Sequence, residues 1–298
     1  MISILIPSYN YNTLPLVKEL HSQSVLDNIE FEIIVQDDAS PINEITKINT
    51  EINQISHCRF ERNDTTLGRG QNRNSLVLKA KYSWLLFLDC DTFPQHKNFI
   101  KKYIESAKSG TVQAVYGGII YHKEKPNPDE MLRWVYGKKR EEIPVEKRVK
   151  YPYRHSLISN FLVQKATLRS FPFDDKLIQY GYEDIVLIQD LKQNNIAITQ
   201  IENAAYHLQL ENSCLFLEKT KHSLSNLKFL LDEKIFTDDN TSLIKVYQFI
   251  SKIGLRDFTA FLFKKCERFL TKKLLSQNPS LTLFLLYKLG YFCKLNSR

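Results

Sequence analysis

Short apolar runs rich in β-branched and aromatic residues, at residues 2–6, 31–35 and 84–88, alternate with amphipathic stretches at 14–23, 42–55 and 70–80. Runs of this length suit buried strands, and Ile42, Ile45, Ile48 and Ile52 recur at the spacing of a helix with one apolar face. Strands joined by helices are parallel, because a parallel pair needs a long crossover, so the pattern predicts a Rossmann-like, mostly parallel sheet flanked by helices. Further strand-like runs follow at 112–120 and 196–201. In such sheets ligands bind beyond the carboxyl ends of the strands. Those ends carry Pro7-Ser8-Tyr9-Asn10, Asp37-Asp38-Ala39-Ser40 and Asp89-Cys90-Asp91, so the polar and acidic chemistry falls where the rule places a site.

Residues 122–155 break the alternation with Pro126, Pro128, Pro144, Pro152 and many charges, and are expected to form a mobile lid or an insertion. From residue 211 the pattern turns helical, at 215–231, 243–253, 258–275 and 281–292. The expected division is therefore an α/β domain over 1–210 and a basic helical extension over 211–298. The last helix is too short to span a bilayer and carries Lys288. The formal net charge of +8 is concentrated here: residues 241–298 hold eight Lys and three Arg against Asp257 and Glu267, a net of +9. That charge suits either a solvated helical face or contact with an anionic membrane surface or lipid-phosphate acceptor. No pattern of a nucleic-acid-binding motif accompanies it, so no nucleic-acid partner is expected. Five scattered cysteines without a CxxC pair argue against a disulfide framework or a zinc site and suit a reducing cytoplasm. The start, MISILIPSYNYN, has no basic n-region and reads as a strand entering a loop rather than a signal peptide, so the protein is expected to stay inside the cell.

Asp89 and Asp91 follow the apolar run Trp84-Leu85-Leu86-Phe87-Leu88. Carboxylates one residue apart at a strand end suit a hard cation such as Mg²⁺ or Mn²⁺ that bridges diphosphate oxygens; loop solubilisation or capping is the plainer reading. Asp37 and Asp38 can accept hydrogen bonds from a base and a ribose, or simply form an Asx turn. Gly68-Arg69-Gly70 opens a helix where an anion is favoured, and Arg69 or Arg73 can meet a diphosphate or serve in salt bridges. Glu183 and Asp184 precede an apolar helical run, where acids are favoured by the helix dipole alone, yet one of them can also take the proton of an attacking hydroxyl. His207 is either a satisfied polar residue or a ligand of the metal or diphosphate.

Taken in order, IPSYN, VQDDAS, LGRGQNRN, LLFLDCD, SNFLVQK, YGYED and HLQLE resemble the family 2 inverting glycosyltransferases of the GT-A fold, over residues 1–210. The resemblance implies a metal-dependent, hexosyltransferase-type enzyme that takes a sugar from a nucleotide diphosphate donor, with UDP favoured. It implies that Asp37 and Asp38 hold the nucleoside beside Pro7 and Tyr9, and that Arg69 and Arg73 meet the donor. Asp89, Asp91 and His207 would hold Mn²⁺ or Mg²⁺, Asn160 would lie near the donor sugar, and Asp184 would be the base with Glu183 assisting. The stretches LRWVYGKKREE and HLQLENSCLFLEKT look like a bacterial subgroup of surface-polysaccharide enzymes, with a glycan or lipid-linked glycan as acceptor. The QxxRW motif and spanning helices of processive synthases are absent from the sequence, which favours single additions. Two rivals remain at this stage: a non-catalytic nucleotide-sugar or membrane-surface binding module, and a nucleotidyltransferase, whose glycine-rich loop after the first strand is here Pro7-Ser8-Tyr9-Asn10.

Overall fold

Strand β1 (Ile2–Ser8) leads through helix α1 (Leu14–Leu26) to β2 (Phe31–Asp37), and α2 (Glu44–Thr50) with a 3-10 turn leads to β3 (Cys58–Arg62). Helix α3 (Arg69–Lys79) then returns the chain to β4 (Trp84–Leu88), with β1, β2, β3 and β4 all parallel. Next come β5 (Thr92–Pro94), α4 (Phe99–Lys108), β6 (Ala114–Tyr116) and β7 (Ile119–Ile120). The segment expected as a lid is helical in this computed structural model: α5 (Met131–Arg140), α6 (Val145–Lys150) and α7 (Pro152–His155). Its prolines sit at or beside helix starts, where a missing N–H costs nothing. The chain continues through β8 (Asn160–Gln164), α8 (Lys165–Ser170), α9 (Glu183–Gln193), β9 (Ile198–Gln200) and β10 (Ala205–His207). It ends in α10 (Ser213–Asp232), α11 (Ser242–Lys252), α12 (Arg256–Leu274) and α13 (Leu281–Leu295). The structure describes residues 1–110, 112–175, 177, 181–235 and 241–297; Tyr180 of the YGYED motif lies outside them.

Two compact units emerge. The first, residues 1–121, 141–178 and 183–209, holds a seven-stranded sheet in the order β3-β2-β1-β4-β8-β6-β9, in which only β8 runs antiparallel to its neighbours. A small sheet, β5-β10-β7, stands beside it. Leu5, Ile34, Leu85, Phe87, Tyr116, Phe161 and Val163 from the large sheet pack with Leu76 of α3 and Leu187, Ile188 and Leu191 of α9 in one buried cluster. The second unit, residues 122–140, 179–182 and 210–298, is helical around Leu132, Leu217, Phe263, Leu274, Phe284 and Tyr287. It therefore recruits α5 in addition to the helices after residue 211. Among the described residues no helix is long and apolar enough to cross a membrane.

The isoleucine periodicity of residues 42–52 is matched in part: Ile52 is fully buried just after α2 and Ile45 and Ile48 are half-buried, but Ile42 precedes the helix and is exposed, and within α2 the buried residues are Thr46 and Asn49. The reason is polar: the Asn49 amide accepts from the backbone N–H and hydroxyl of Thr13 at 2.9 and 3.0 Å and donates to the Tyr11 carbonyl at 2.8 Å, fixing the loop after β1.

Where β6 ends, Gly117 lies against other backbone so closely that an added Cβ would meet the Asn203 carbonyl and the Tyr103 hydroxyl at 2.3 Å each. Next to it the buried Arg148 guanidinium donates to the carbonyls of Tyr116, Gly117 and Ile201. Neither neighbour of Gly117 is a flexible side-chain tip free to swing away. Gly117→Ala is expected to cost about 3 kcal/mol of stability, the upper part of the usual overpacking range, measured by urea unfolding of the full chain.

Candidate active site

The parallel strands β1, β2 and β4 deliver their carboxyl ends to one edge, with Ser8 in register with Asp37. Backbone bonds tie the loops: Asp38 N–H donates to the Ser8 carbonyl at 2.9 Å, and Asn10 N–H to the Ser40 hydroxyl at 2.7 Å. Both aspartates of the pair turn their carboxylates onto these loops. Asp37 accepts from the backbone and hydroxyl of Ser40, and Asp38 accepts from the N–H groups of Leu67 (2.7 Å) and Gly68 (2.9 Å) and from Asn63 (3.0 Å). The Asp38 carboxylate thus cements the turn that launches α3. Pro7 lies at the end of β1 and Tyr9 just beyond it, its ring mostly exposed.

Arg73, on α3, is 1% exposed and bridges two carboxylates that are far apart in sequence. Its Nη1 lies 2.6 Å from Asp184 Oδ1 at the start of α9, and its Nη2 lies 3.0 Å from Asp89 Oδ1 just beyond β4. The other Asp184 oxygen accepts from the Ile158 N–H at 3.2 Å. Arg69, one helical turn before Arg73, approaches Glu183 at 3.7 Å. Five of the residues singled out by sequence, Arg69, Arg73, Asp89, Glu183 and Asp184, therefore form one ionic network.

Burial would raise the Asp89 carboxyl, but Arg73 and Arg69 prevail and hold it below the usual carboxylate range. Glu183 goes the other way: burial pushes its carboxyl up, Asp184 adds to the push, and Arg69 opposes it. Glu183 Oε2 is buried with no hydrogen-bond partner among the described residues. The thiol of Cys90, between the two aspartates, is pushed up by burial and by both of them.

A second pair sits at the junction of β5 and β10. Asp91 Oδ2 and His207 Nε2 are 3.6 Å apart, the Leu208 N–H donates to the Asp91 carbonyl at 2.8 Å, and the imidazole stacks on Tyr121 with ring centroids 5.3 Å apart. Among the described residues no group of three or more His, Cys, Asp or Glu side chains is set to hold a metal by itself. The Asp91–His207 spacing is nonetheless one that a single cation with ligand distances of about 2.1 Å can span. Such a cation would take the rest of its shell from phosphate oxygens and water, as Mg²⁺ and Mn²⁺ do. The donor set therefore fits, with Asp89 engaged by Arg73.

Asn160 lies one strand over from this group, following Ser159, whose carbonyl accepts from the Asp89 N–H at 3.3 Å. It is fully buried opposite Leu88, donates to the carbonyls of Gly118 (2.8 Å) and Asn203 (2.9 Å), and accepts from the Tyr103 hydroxyl at 2.6 Å. Its amide is a strut beneath the site. Sequence reasoning missed Tyr121, Tyr11 and Arg148. Tyr11, whose phenol is pushed up to about 12 by burial, with Asp91 and Cys90 adding to it, lies two residues after the Tyr9 already singled out. Tyr121 and Arg148 carry no local pattern that would mark them.

The sequence profile described as Glycosyl transferase family 2 matches residues 3–171, more than half of the chain. The chain belongs to glycosyl transferase family 2. No curated protein matches it in sequence. Solved structures with the same GT-A architecture include S. aureus TarS 1–349 in complex with UDP-GlcNAc, with a TM-score of 0.53, 18% identity, and coverage of 98% of this chain and 89% of that one. Mannosyltransferase PcManGT from Pyrobaculum calidifontis, in complex with GDP-Man and Mn²⁺, aligns with a TM-score of 0.53 at 12% identity over 78% of this chain and 64% of that one. Glucosyl-3-phosphoglycerate synthase from Mycobacterium tuberculosis aligns with a TM-score of 0.51 at 17% identity over 76% and 79%. This family 2 glycosyltransferase spans 39% of a longer S. aureus TarS chain.

The raised Glu183 carboxyl makes a prediction for this GT-A enzyme. With a folded pKa above the unfolded one, ionisation of Glu183 opposes folding increasingly as pH rises from the ordinary glutamate value through the raised one. Glu183→Gln is therefore expected to raise Tm at about pH 8, with the gain disappearing by about pH 3, where the wild-type carboxyl is protonated in both states. Differential scanning calorimetry across that range checks it.

Proposed function

We propose that the chain is an inverting, non-processive glycosyltransferase that moves a hexosyl-type sugar from a nucleotide diphosphate donor, UDP favoured, to an acceptor hydroxyl. A glycan or lipid-linked glycan of surface-polysaccharide or glycolipid synthesis is the acceptor class. The observation that carries the reading is the Arg73 bridge. One buried cation ties the carboxylate expected at the donor diphosphate, Asp89, to the carboxylate expected at the acceptor, Asp184. The donor class is supported by structures of the same architecture, which hold UDP-GlcNAc, GDP-Man with Mn²⁺, or UDP with Mn²⁺.

In this proposal Tyr9, with Pro7, offers its exposed ring to the nucleobase, and the Asp37 and Asp38 loops receive the nucleoside. Arg69, half exposed at the start of α3, meets donor oxygens together with the helix N-terminus. Asp91 and His207, with Asp89 close by, hold Mn²⁺ or Mg²⁺, which when bound stabilises the charge developing on the leaving diphosphate. The acceptor oxygen attacks the anomeric carbon from the face opposite the diphosphate. The C1–oxygen bond to the diphosphate breaks as the new glycosidic bond forms, and Asp184 takes the hydroxyl proton. One such displacement inverts the anomeric centre. Asp184 suits the base better than Glu183 because its side chain keeps a fifth of its surface accessible, at 22% against 7%. Glu183, beside it, helps seat the acceptor.

Asp184→Asn is expected to leave donor affinity within about threefold of wild type while transfer falls by about 10²–10⁴-fold, the usual contribution of a general base. Near-normal turnover would remove Asp184 from that role. Asp91→Ala is expected to abolish the metal-stimulated part of donor hydrolysis and transfer by purified protein. Full metal-dependent transfer by this variant would mean that the cation sits elsewhere.

A further inference from the structure

The second unit carries a surface that its own packing does not use. On α12, Ala260, Phe263 and Leu274 face inward, with the Phe263 ring against Tyr287 and against Gly290 of α13. Glu267 lies on the same inward side, bonded to Lys221 at 3.2 Å and Lys294 at 3.0 Å. At 100° per residue, Phe258, Phe261, Leu262, Lys265, Phe269, Lys272 and Lys273 all fall within an arc of about 120° on the opposite side. Phe258, Phe261 and Phe269 are 57%, 55% and 59% exposed. No carboxylate falls within the arc.

Exposed apolar side chains also occur in the residues before α12. Val246 and Phe249, at i and i+3 of α11, are exposed, as are Ile253 and Leu255 between the helices. Lys265 and Lys273 lie over the rings of Phe261 and Phe269 at 5.7 and 5.9 Å, so each ammonium stands beside the apolar surface it follows. Exposed phenylalanine rings gathered in one arc of α12 and interleaved with one sign of charge mark a binding surface rather than a solvated helix.

We propose that this face of α11 and α12 docks on an anionic lipid bilayer, with the phenylalanines entering the headgroup–acyl boundary and the lysines meeting lipid phosphates. The chemistry selects this occupant. Phenylalanine and aliphatic side chains with lysines on their flanks match a layer that is apolar beneath and anionic above. A second copy of the same face would bring together two surfaces from a segment of net charge +9, which repel. Since neither helix is both long and apolar enough to span, the contact is peripheral. The inference stands independently of the catalytic assignments.

The test is flotation of the full chain with phosphatidylglycerol-containing vesicles and with pure phosphatidylcholine vesicles. Binding is expected to the anionic vesicles, weakening as salt rises. Lys265→Glu/Lys272→Glu/Lys273→Glu is expected to weaken it by about 100-fold or more. Phe258→Ser/Phe261→Ser/Phe269→Ser is expected to weaken it by a similar factor, about 100-fold. Because all six side chains point away from the helical core, circular dichroism and metal-stimulated donor hydrolysis in vesicle-free solution should match wild type. Wild-type indifference to anionic vesicles, or vesicle binding that survives both triple variants, overturns the proposal. So does a wild-type dimer by light scattering that the phenylalanine variant converts to monomer, which would make the face a self-association surface.

Discussion

A guanidinium stripped of water needs anionic partners, and Arg73 has two. Breaking a buried pair by removing one partner typically costs about 3–5 kcal/mol, because a charge is left uncompensated. The constraint acts on three elements at once: α3, which carries the arginine, the turn after β4, which carries Asp89, and the start of α9, which carries Asp184. Residues more than a hundred positions apart in the chain are thereby held at hydrogen-bond distance. The same contact outweighs the burial of Asp89 and keeps it ionised, whereas neighbouring Glu183 is pushed toward its protonated form by burial and by Asp184, against the pull of the arginines.

Around that network the sheet supplies position and the loops supply rigidity. The parallel strands bring three polar loops to one edge, where the loops after β1 and β2 are bonded to each other. Their rigidity comes from side chains turned back on the backbone: Asp38 on the N–H groups before α3, Ser40 on Asn10, Asn49 on the loop after β1. Beneath them Asn160 and Arg148 add second donors to the Gly118 and Gly117 carbonyls, which already accept from the N–H groups of Ala205 and Asn203. Loops set in this way can meet a ligand without first being ordered by it, which lowers the entropic cost of binding.

The helical unit follows a different logic. Its interior is ordinary aromatic and leucine packing, whereas the outward side of α12 reverses the usual pattern of polar residues toward water. Placing its central acid, Glu267, inward between two lysines clears the outer face of negative charge.

Hydrophobic periodicity made the parallel strands β1, β2 and β4 and the helices after residue 211 legible, because burial and helical spacing are written in consecutive residues; the antiparallel β8 between β4 and β6, with three apolar residues between Asn160 and Gln164, was not. The acidic motifs at the strand ends could be placed for the same reason. Strands β3 and β5 were not legible, since Cys58–Arg62 buries only Phe60 and Thr92–Pro94 is three residues long. Nor was the inward role of Asn160, whose partners come from β7's approach, α4 and the loop after β9. The pairing of Arg73 with both Asp89 and Asp184, the stacking of Tyr121 on His207, and the two opposed faces of α12 depend on which distant elements pack together. Local sequence determines what each segment prefers; only the closed tertiary structure decides which charges meet once water has been excluded between them.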